Sequence, residues 1–249
     1  MSDLIYRNTG GFSGLPASHP LANLDLGNPF KWSSFWEDFT SYDITQAIGG
    51  HPWTFTQTNC VDTIVGSTGV LAMTLGGADN DVGQLQLAES PFTPSSTKRL
   101  FFQARFNLTL ASGGTVAANE MFIGLATEQT TTNFMNSGGT ALAVDNCLGF
   151  VKYDAGASMF AVGRVSDVES TTSGVLTPTD GTWFTVSIYY DGVNAYFYRS
   201  SNADGSNAVL VATLTSDVVA VVNPTLFVKA GEAKANVLNV DYIGCWLER

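Results

Sequence analysis

The stretch Arg99–Leu110, RLFFQARFNLTL, alternates along its whole length. Phe102, Ala104, Phe106, Leu108 and Leu110 fall on one side, and Gln103, Arg105, Asn107 and Thr109 on the other. A period of two is the signature of an extended strand with one buried face, whereas a helix would spread the same residues around its axis. A second stretch, Trp183–Arg199 (WFTVSIYYDGVNAYFYR), sets Asp191-Gly192 between two runs rich in β-branched and aromatic residues. It predicts a hairpin with a type I′ turn. Phe184, Val186, Ile188 and Tyr190 form one face of this hairpin. Across the turn that face continues through either Val193, Ala195 and Phe197 or Asn194, Tyr196 and Tyr198, depending on register.

Working outward, the chain reads as strand after strand. CLGFVKYDAGASMFAVGR (147–164) has the form of a hairpin turned at Asp154-Ala155-Gly156. EQTTTNFMNSGGTAL (128–142) reads as a surface loop, and SDVESTTSGVLTPTDG (166–181) as a loop at a sheet edge. The terminal NVLNVDYIGCWLER sets Val237, Asn239, Asp241 and Ile243 against Leu238, Val240, Tyr242 and Gly244, a strand of the core. More than ten short strands in 249 residues, 45% of them hydrophobic and with no internal repeat, predict one all-β domain of two stacked antiparallel sheets. That domain is expected over 32–249.

Residues 1–31 differ. Pro16, Pro20 and Pro29 forbid a continuous helix, yet Leu21, Leu24, Leu26 and Phe30 are too apolar for a solvated tail. The expectation is an extended N-terminal arm lying on its own domain or on a neighbour. The opening MSDLIYRNTGG lacks the basic and apolar regions of a secretory signal, so export by that route is not expected.

A formal charge of −11 with no basic cluster disfavours nucleic acid and anionic membranes as partners. Cys60, Cys147 and Cys245 are too few and too scattered for a disulfide framework, and they read as buried free thiols. Catalytic signatures are sparse. His19 and His51 each precede a proline and have no nucleophile motif nearby. Glu37 and Asp38 are adjacent and face opposite ways, while Asp167 and Glu169 lack a third partner. No strand presents the paired carboxylates of a retaining glycosidase, so no enzymatic activity is expected. Asp79, Asn80 and Asp81 cluster oxygen atoms of the kind that hold Ca²⁺, but not at EF-hand spacing, and the same residues make ordinary tight turns. No cofactor is expected. Tyr196 and Tyr198 are the rings that would form a glycan platform if the hairpin's second face were exposed; core packing is the stronger expectation.

KRLFFQARFNLT, NEMFIGLATEQTT, NCLGFVKYD, GTWFTVSIYYDGVNAYFYR and NPTLFVKAGEAKANVLNVDYIGCWLER, in that order and after an early FWEDF, are together informative. The ordered set resembles the concanavalin-A-like jelly-roll proteins that tailed bacteriophages encode near their major capsid gene. The resemblance covers about Trp32 to Arg249 and implies a jelly-roll sandwich. It also implies a structural virion protein, a capsid decoration or cement protein that bridges major capsid subunits and carries no catalytic residues. Such a protein would form homo-oligomers, dimers or trimers, and would sit on the outer capsid surface of virions assembled in the host cytoplasm. Leu21, Leu24, Leu26 and Phe30 would then be its capsid or subunit contacts. The alternative is a glycan- or receptor-binding module of a phage tail or head surface, with Tyr196 and Tyr198 as its platform.

Overall fold

In the computed structural model the alternating stretch at 100–109 is a central strand with neighbours on both sides. The structure describes residues 30–40, 53–65, 69–88, 92–215 and 220–249. The arm before Phe30, with Leu21, Leu24 and Leu26, lies outside the described residues, as do His19 and His51. The strands are β1 (Trp32–Glu37), β2 (Trp53–Thr58), β3 (Cys60–Val65), β4 (Val70–Leu75), β5 (Val82–Leu87), β6 (Leu100–Thr109), β7 (Asn119–Ala126) and β8 (Cys147–Lys152). There follow β9 (Met159–Val165), β10 (Val168–Leu176), β11 (Phe184–Tyr190), β12 (Asn194–Ser200), β13 (Val209–Thr215), β14 (Asn223–Ala230) and β15 (Val237–Glu248). No helix occurs among the described residues.

Sheet A has the order β13-β12-β11-β6-β15-β4-β3, with β1 added beside the second half of β15; sheet B runs β10-β9-β8-β7-β14-β5-β2. Every pairing between these strands is antiparallel. The predicted inward row of β6, Phe102, Ala104, Phe106 and Leu108, is buried between the sheets, and Leu110 packs at its end. Across from it stand Ile123, Phe150 and Leu226 of sheet B. The chain is an all-β, two-sheet jelly-roll sandwich.

Three local readings change. In the 183–199 hairpin, pairing of Ile188 with Phe197 selects Ala195 and Phe197 as the inward continuation, which turns Tyr196 and Tyr198 outward. Asp191 N–H donates to Asn194 O, so Gly192 and Val193 are the central residues, and only Gly192 has positive φ (105°). That is the pattern of a type II′ turn rather than I′. Segment 168–176, expected to be loop, is the edge strand β10. Ser166 and Asp167 (φ 46° and 69°) form a two-residue I′-type turn into it from β9. An edge strand exposed on both faces needs no apolar alternation, so its Ser/Thr-rich sequence carries no periodic signal. In β15 the register shifts between Val240 and Tyr242. The bulge reverses parity, so the inward residues are Leu238 and Val240, then Ile243, Cys245 and Leu247.

All three cysteines are free and buried. Burial pushes the Cys60 thiol from near 9 up to about 12 and raises Cys147 and Cys245 as well. A thiol whose folded pKa is raised stabilises the fold fully below its unfolded pKa, and loses that contribution as pH climbs above it. Burial lowers the Lys152 ammonium from 10.5 to about 8, partly offset by Glu120 and Asp154. This gives the opposite slope, with stability gained from about pH 8 upward. The three thiols, joined by tyrosines that burial also raises, among them Tyr153 and Tyr242, outweigh the one ammonium, so between pH 9 and 10 stability is expected to fall by at least about 1.4 kcal/mol per pH unit, the worth of one net proton. Urea titrations at pH 8, 9 and 10 measure this, and a flat profile would show that the thiols reach solvent.

Candidate functional site

A sandwich offers two outer faces for binding, and this chain closes one of them. On the outer face of sheet B, Phe122, Val151, Val162 and Phe227 form an apolar layer covered by the segment between β7 and β8. Phe134 from that segment lies 4.8 Å from Phe122 and 5.1 Å from Phe227, ring centre to ring centre. Met135, Leu142 and Val144 are buried beside it. Two buried glutamines of β5 anchor the segment. Gln86 accepts from Gln129 N–H (2.7 Å) and donates to Thr127 O (3.2 Å), and Gln84 donates to Gln129 O (3.0 Å). The expected surface loop is therefore a cover packed on this apolar layer.

The outer face of sheet A is different. The strand registers place Trp32, Ser34 and Trp36 of β1 beside Glu248, Trp246 and Gly244 of β15, and Trp246 beside Phe101 of β6. Phe101 in turn pairs with Tyr189 of β11, and Tyr189 with Tyr196 of β12. The result is a row of rings crossing the sheet from β1 to β12. Trp32, Phe101, Tyr189 and Tyr198 are buried against one another, with Trp246 and Tyr196 at the margins. Arg99 lies 5.7 Å from the Trp32 ring and grips Glu248 through Nε–H (2.8 Å) and NH2 (2.5 Å). That grip holds the Glu248 carboxyl below the usual range.

Trp36 projects from this layer. It is 47% exposed and stacks on Tyr242 at 4.7 Å and 24°. Trp246 lies 5.9 Å away. Gly244 makes this possible, since a Cβ there would meet Trp246 at 2.5 Å and Trp36 at 2.7 Å. Tyr242 is itself fixed, its hydroxyl donating to Ala203 O at 2.6 Å. An exposed indole held flat on a buried phenol is a rigid, pre-ordered contact surface.

Of the rings named from sequence, Tyr198 is 1% exposed and cannot act as a platform. Its neighbour Tyr196 is part-exposed, stacks on Tyr189 at 6.0 Å and bonds Asp191 through its hydroxyl at 3.1 Å. Trp36, the most exposed ring of the layer, was not singled out from sequence. WSSFWE carries rings on both of its faces, and only the pairing with β15 reveals which one meets solvent. Phe30, at the head of β1, is 91% exposed.

Among the described residues the acidic groups named from sequence do not converge on either face. Glu37 accepts from Phe39 N–H at 2.7 Å, and Asp167 and Glu169 both pair with Arg164 (2.8 and 3.4 Å). No group of three His, Cys, Asp or Glu among the described residues stands ready to hold a metal.

No family model matches the chain, and no curated protein matches it in sequence. Solved structures do match in fold. Peanut lectin with a 9mer peptide is similar at TM-score 0.62 and 13% identity, over 88% of this chain and 97% of the lectin. An endo-1,3-beta-glucanase from Streptomyces sioyaensis is similar at 0.54 and 14%, over 87% and 96%. The CBM2 module of the evolved Dit of Lactobacillus casei BL23 phage J-1 is similar at 0.55 and 12%, over 87% and 96%. The architecture is thus concanavalin-A-like, shared by lectins, a glucanase and a phage module. At these identities the likeness concerns the fold alone.

Proposed function

We propose that this chain is a non-catalytic recognition module that binds glycan on the outer face of sheet A, and that it is carried on the virion of a tailed bacteriophage. The observation that carries the reading is the exposed Trp36, stacked on Tyr242 and flanked by Trp246. A sugar ring presents C–H groups on one face and hydroxyls at its edge, so it pairs with a flat ring bordered by polar groups. Ser34, Arg99 and Glu248 lie along the same face and supply such a border. The phage setting is supported by the ordered sequence resemblance and is compatible with the likeness to the phage J-1 module.

Trp36→Ala should lower binding to immobilised bacterial cell-wall polysaccharides at least tenfold, or about 1.4 kcal/mol, as expected for a central aromatic anchor. Its melting temperature should stay near the parent's, because the ring is half in solvent. If the parent binds and the variant binds equally well, the platform assignment is wrong.

A second reading is capsid decoration, with the chain as a homo-oligomer on the outer capsid surface bridging major capsid subunits. The observation that favours it is Phe30, a large apolar residue 91% exposed two positions ahead of β1. Here Leu21, Leu24, Leu26 and Phe30 dock on the partner, and their burial must exceed the entropy lost on ordering the arm. A chain starting at Lys31 should fold but co-sediment with undecorated capsids far more weakly than the full chain. Equal co-sedimentation would transfer any capsid contact to the sandwich.

A further inference from the structure

The row of rings on sheet A has a second accessible end. It runs through Trp246 of β15, Phe101 of β6, Tyr189 of β11 and Tyr196 of β12, each opposite the next in the strand registers. Phe101 and Tyr189 form its floor, 0% and 7% exposed, while Trp246 and Tyr196 are part-exposed at its margins. Tyr196 is held much as Trp36 is. Its ring stacks on Tyr189 at 6.0 Å and 25°, and its hydroxyl donates to Asp191 Oδ2 at 3.1 Å. Asp191 is fixed in turn, because its Oδ1 accepts from Val193 N–H (2.8 Å) and Asn194 N–H (2.7 Å). A flat ring tied at both its face and its hydroxyl loses little freedom when a ligand covers it.

Polar borders follow the row on both sides. The outward residues of β6 flanking Phe101 are Arg99 and Gln103, and each belongs to one border. Arg99 grips Glu248 beside Trp32, and its guanidinium faces the Tyr189 hydroxyl. On the Gln103 side, the loop between β12 and β13 folds back over the sheet. Ala203 O accepts from the Tyr242 hydroxyl at 2.6 Å, and Asn202 O from the Thr185 hydroxyl at 2.8 Å. A Cβ at Gly205 would fall 2.3 Å from Gln103 Nε2, and Ala208 packs on the ring layer itself. The rings therefore lie in a strip that crosses the strands between these two borders. Trp36, 5.9 Å from Trp246, stands at its β1 end.

From β1 to β12 the sheet crosses four strand spacings, about 19 Å. One sugar covers one ring, so only a chain of several sugars reaches both Trp36 and Tyr196. Past Tyr196 the row ends on Thr213 of β13, small and exposed, which leaves a longer chain room to continue. We infer that sheet A takes an internal stretch of a linear polysaccharide laid across its strands, with one sugar on Trp36 and Trp246 and another, several sugars along, on Tyr196. This assignment depends on Trp36 being a glycan contact, and adds the length and direction of the chain it holds.

The test titrates the full chain by calorimetry with disaccharide, tetrasaccharide and octasaccharide fractions of one linear bacterial cell-wall polysaccharide that the immobilised assay shows the parent to bind. For the parent, affinity should rise at least about tenfold from disaccharide to octasaccharide, because the second ring is then engaged intramolecularly. Tyr196→Ala should remove most of that rise, and Trp36→Ala should weaken binding of every fraction. If Tyr196→Ala fails to fold, the parent's dependence on length decides alone. Equal parent affinity for all fractions, or a Tyr196→Ala variant that keeps the full rise, would overturn the crosswise chain; the Trp36 contact would still stand if Trp36→Ala weakens binding. Retention of no linear polysaccharide by the parent, or equal binding by Trp36→Ala, would overturn both.

Discussion

Deleting residues 236–249 should yield a chain that does not fold. Strand β15 pairs with β6 over nearly its whole length, and with β4 and then β1 on its other side. It places Leu238, Val240, Ile243, Cys245 and Leu247 in the inter-sheet core. Burying large apolar side chains contributes roughly 1.5–3 kcal/mol each, and domains are stable by only about 5–15 kcal/mol in total. Asn236 is lost as well. It accepts from Ala111 N–H at 2.8 Å and donates to Asn119 Oδ1 at 3.0 Å, joining the ends of the two sheets. The deletion also splits sheet A and exposes the edges of β4 and β6, which invites aggregation. The measurement is the soluble fraction after expression, followed by thermal melting of whatever is soluble. A soluble truncation that melts cooperatively would refute the placement of β15.

The second large effect belongs to the cover over sheet B. Phe134→Ala removes a fully buried ring from between Phe122 and Phe227 and should cost about 3–5 kcal/mol. For a domain of this size that is a fall of roughly ten degrees or more in melting temperature. The segment has no strand of its own, so its hold on the sheet rests on Phe134, Met135, Leu142 and Val144 and on the glutamine bonds from β5. The loss should therefore appear as dye-accessible apolar surface below the melting transition as well as in the transition itself. A cost under about 1 kcal/mol with no dye binding would mean that the segment is dispensable and that the face beneath can open for a ligand.

Local patterns carried much of the architecture. The alternation of β6 and the two apolar runs around Asp191-Gly192 are properties of neighbouring residues, and both became strands with the inward faces those patterns allow. What escaped depends on distant partners. FIGLA in β7, LGFV in β8 and LFV in β14 are continuous apolar runs, the mark of strands buried on both faces. That second burial was not drawn from the sequence, because the cover itself, at 128–142, is written in polar loop residues around a single phenylalanine. The bulge in β15 leaves no trace in composition, because Asp241 fits either parity; its pairing with Arg105 is seen only in the fold. Trp36 was hidden for a similar reason. Its strand has an indole or phenyl ring on each side, and its orientation follows from the register of Trp36 on Gly244. Tyr198 turns outward yet is buried, because Phe101 and Tyr189 cover a ring that the hairpin alone would expose.

The claim at the centre of this account is binding without turnover through Trp36. A fluorescence titration of the parent and of Trp36→Ala with cell-wall oligosaccharides, with the sugar's length measured afterwards, tests both halves at once. The account predicts a saturable change in tryptophan emission for the parent, its loss in Trp36→Ala, and sugar recovered at its starting length. Shortened sugar whose cleavage vanishes on substituting one Asp or Glu, or an identical titration curve for the variant, would contradict it.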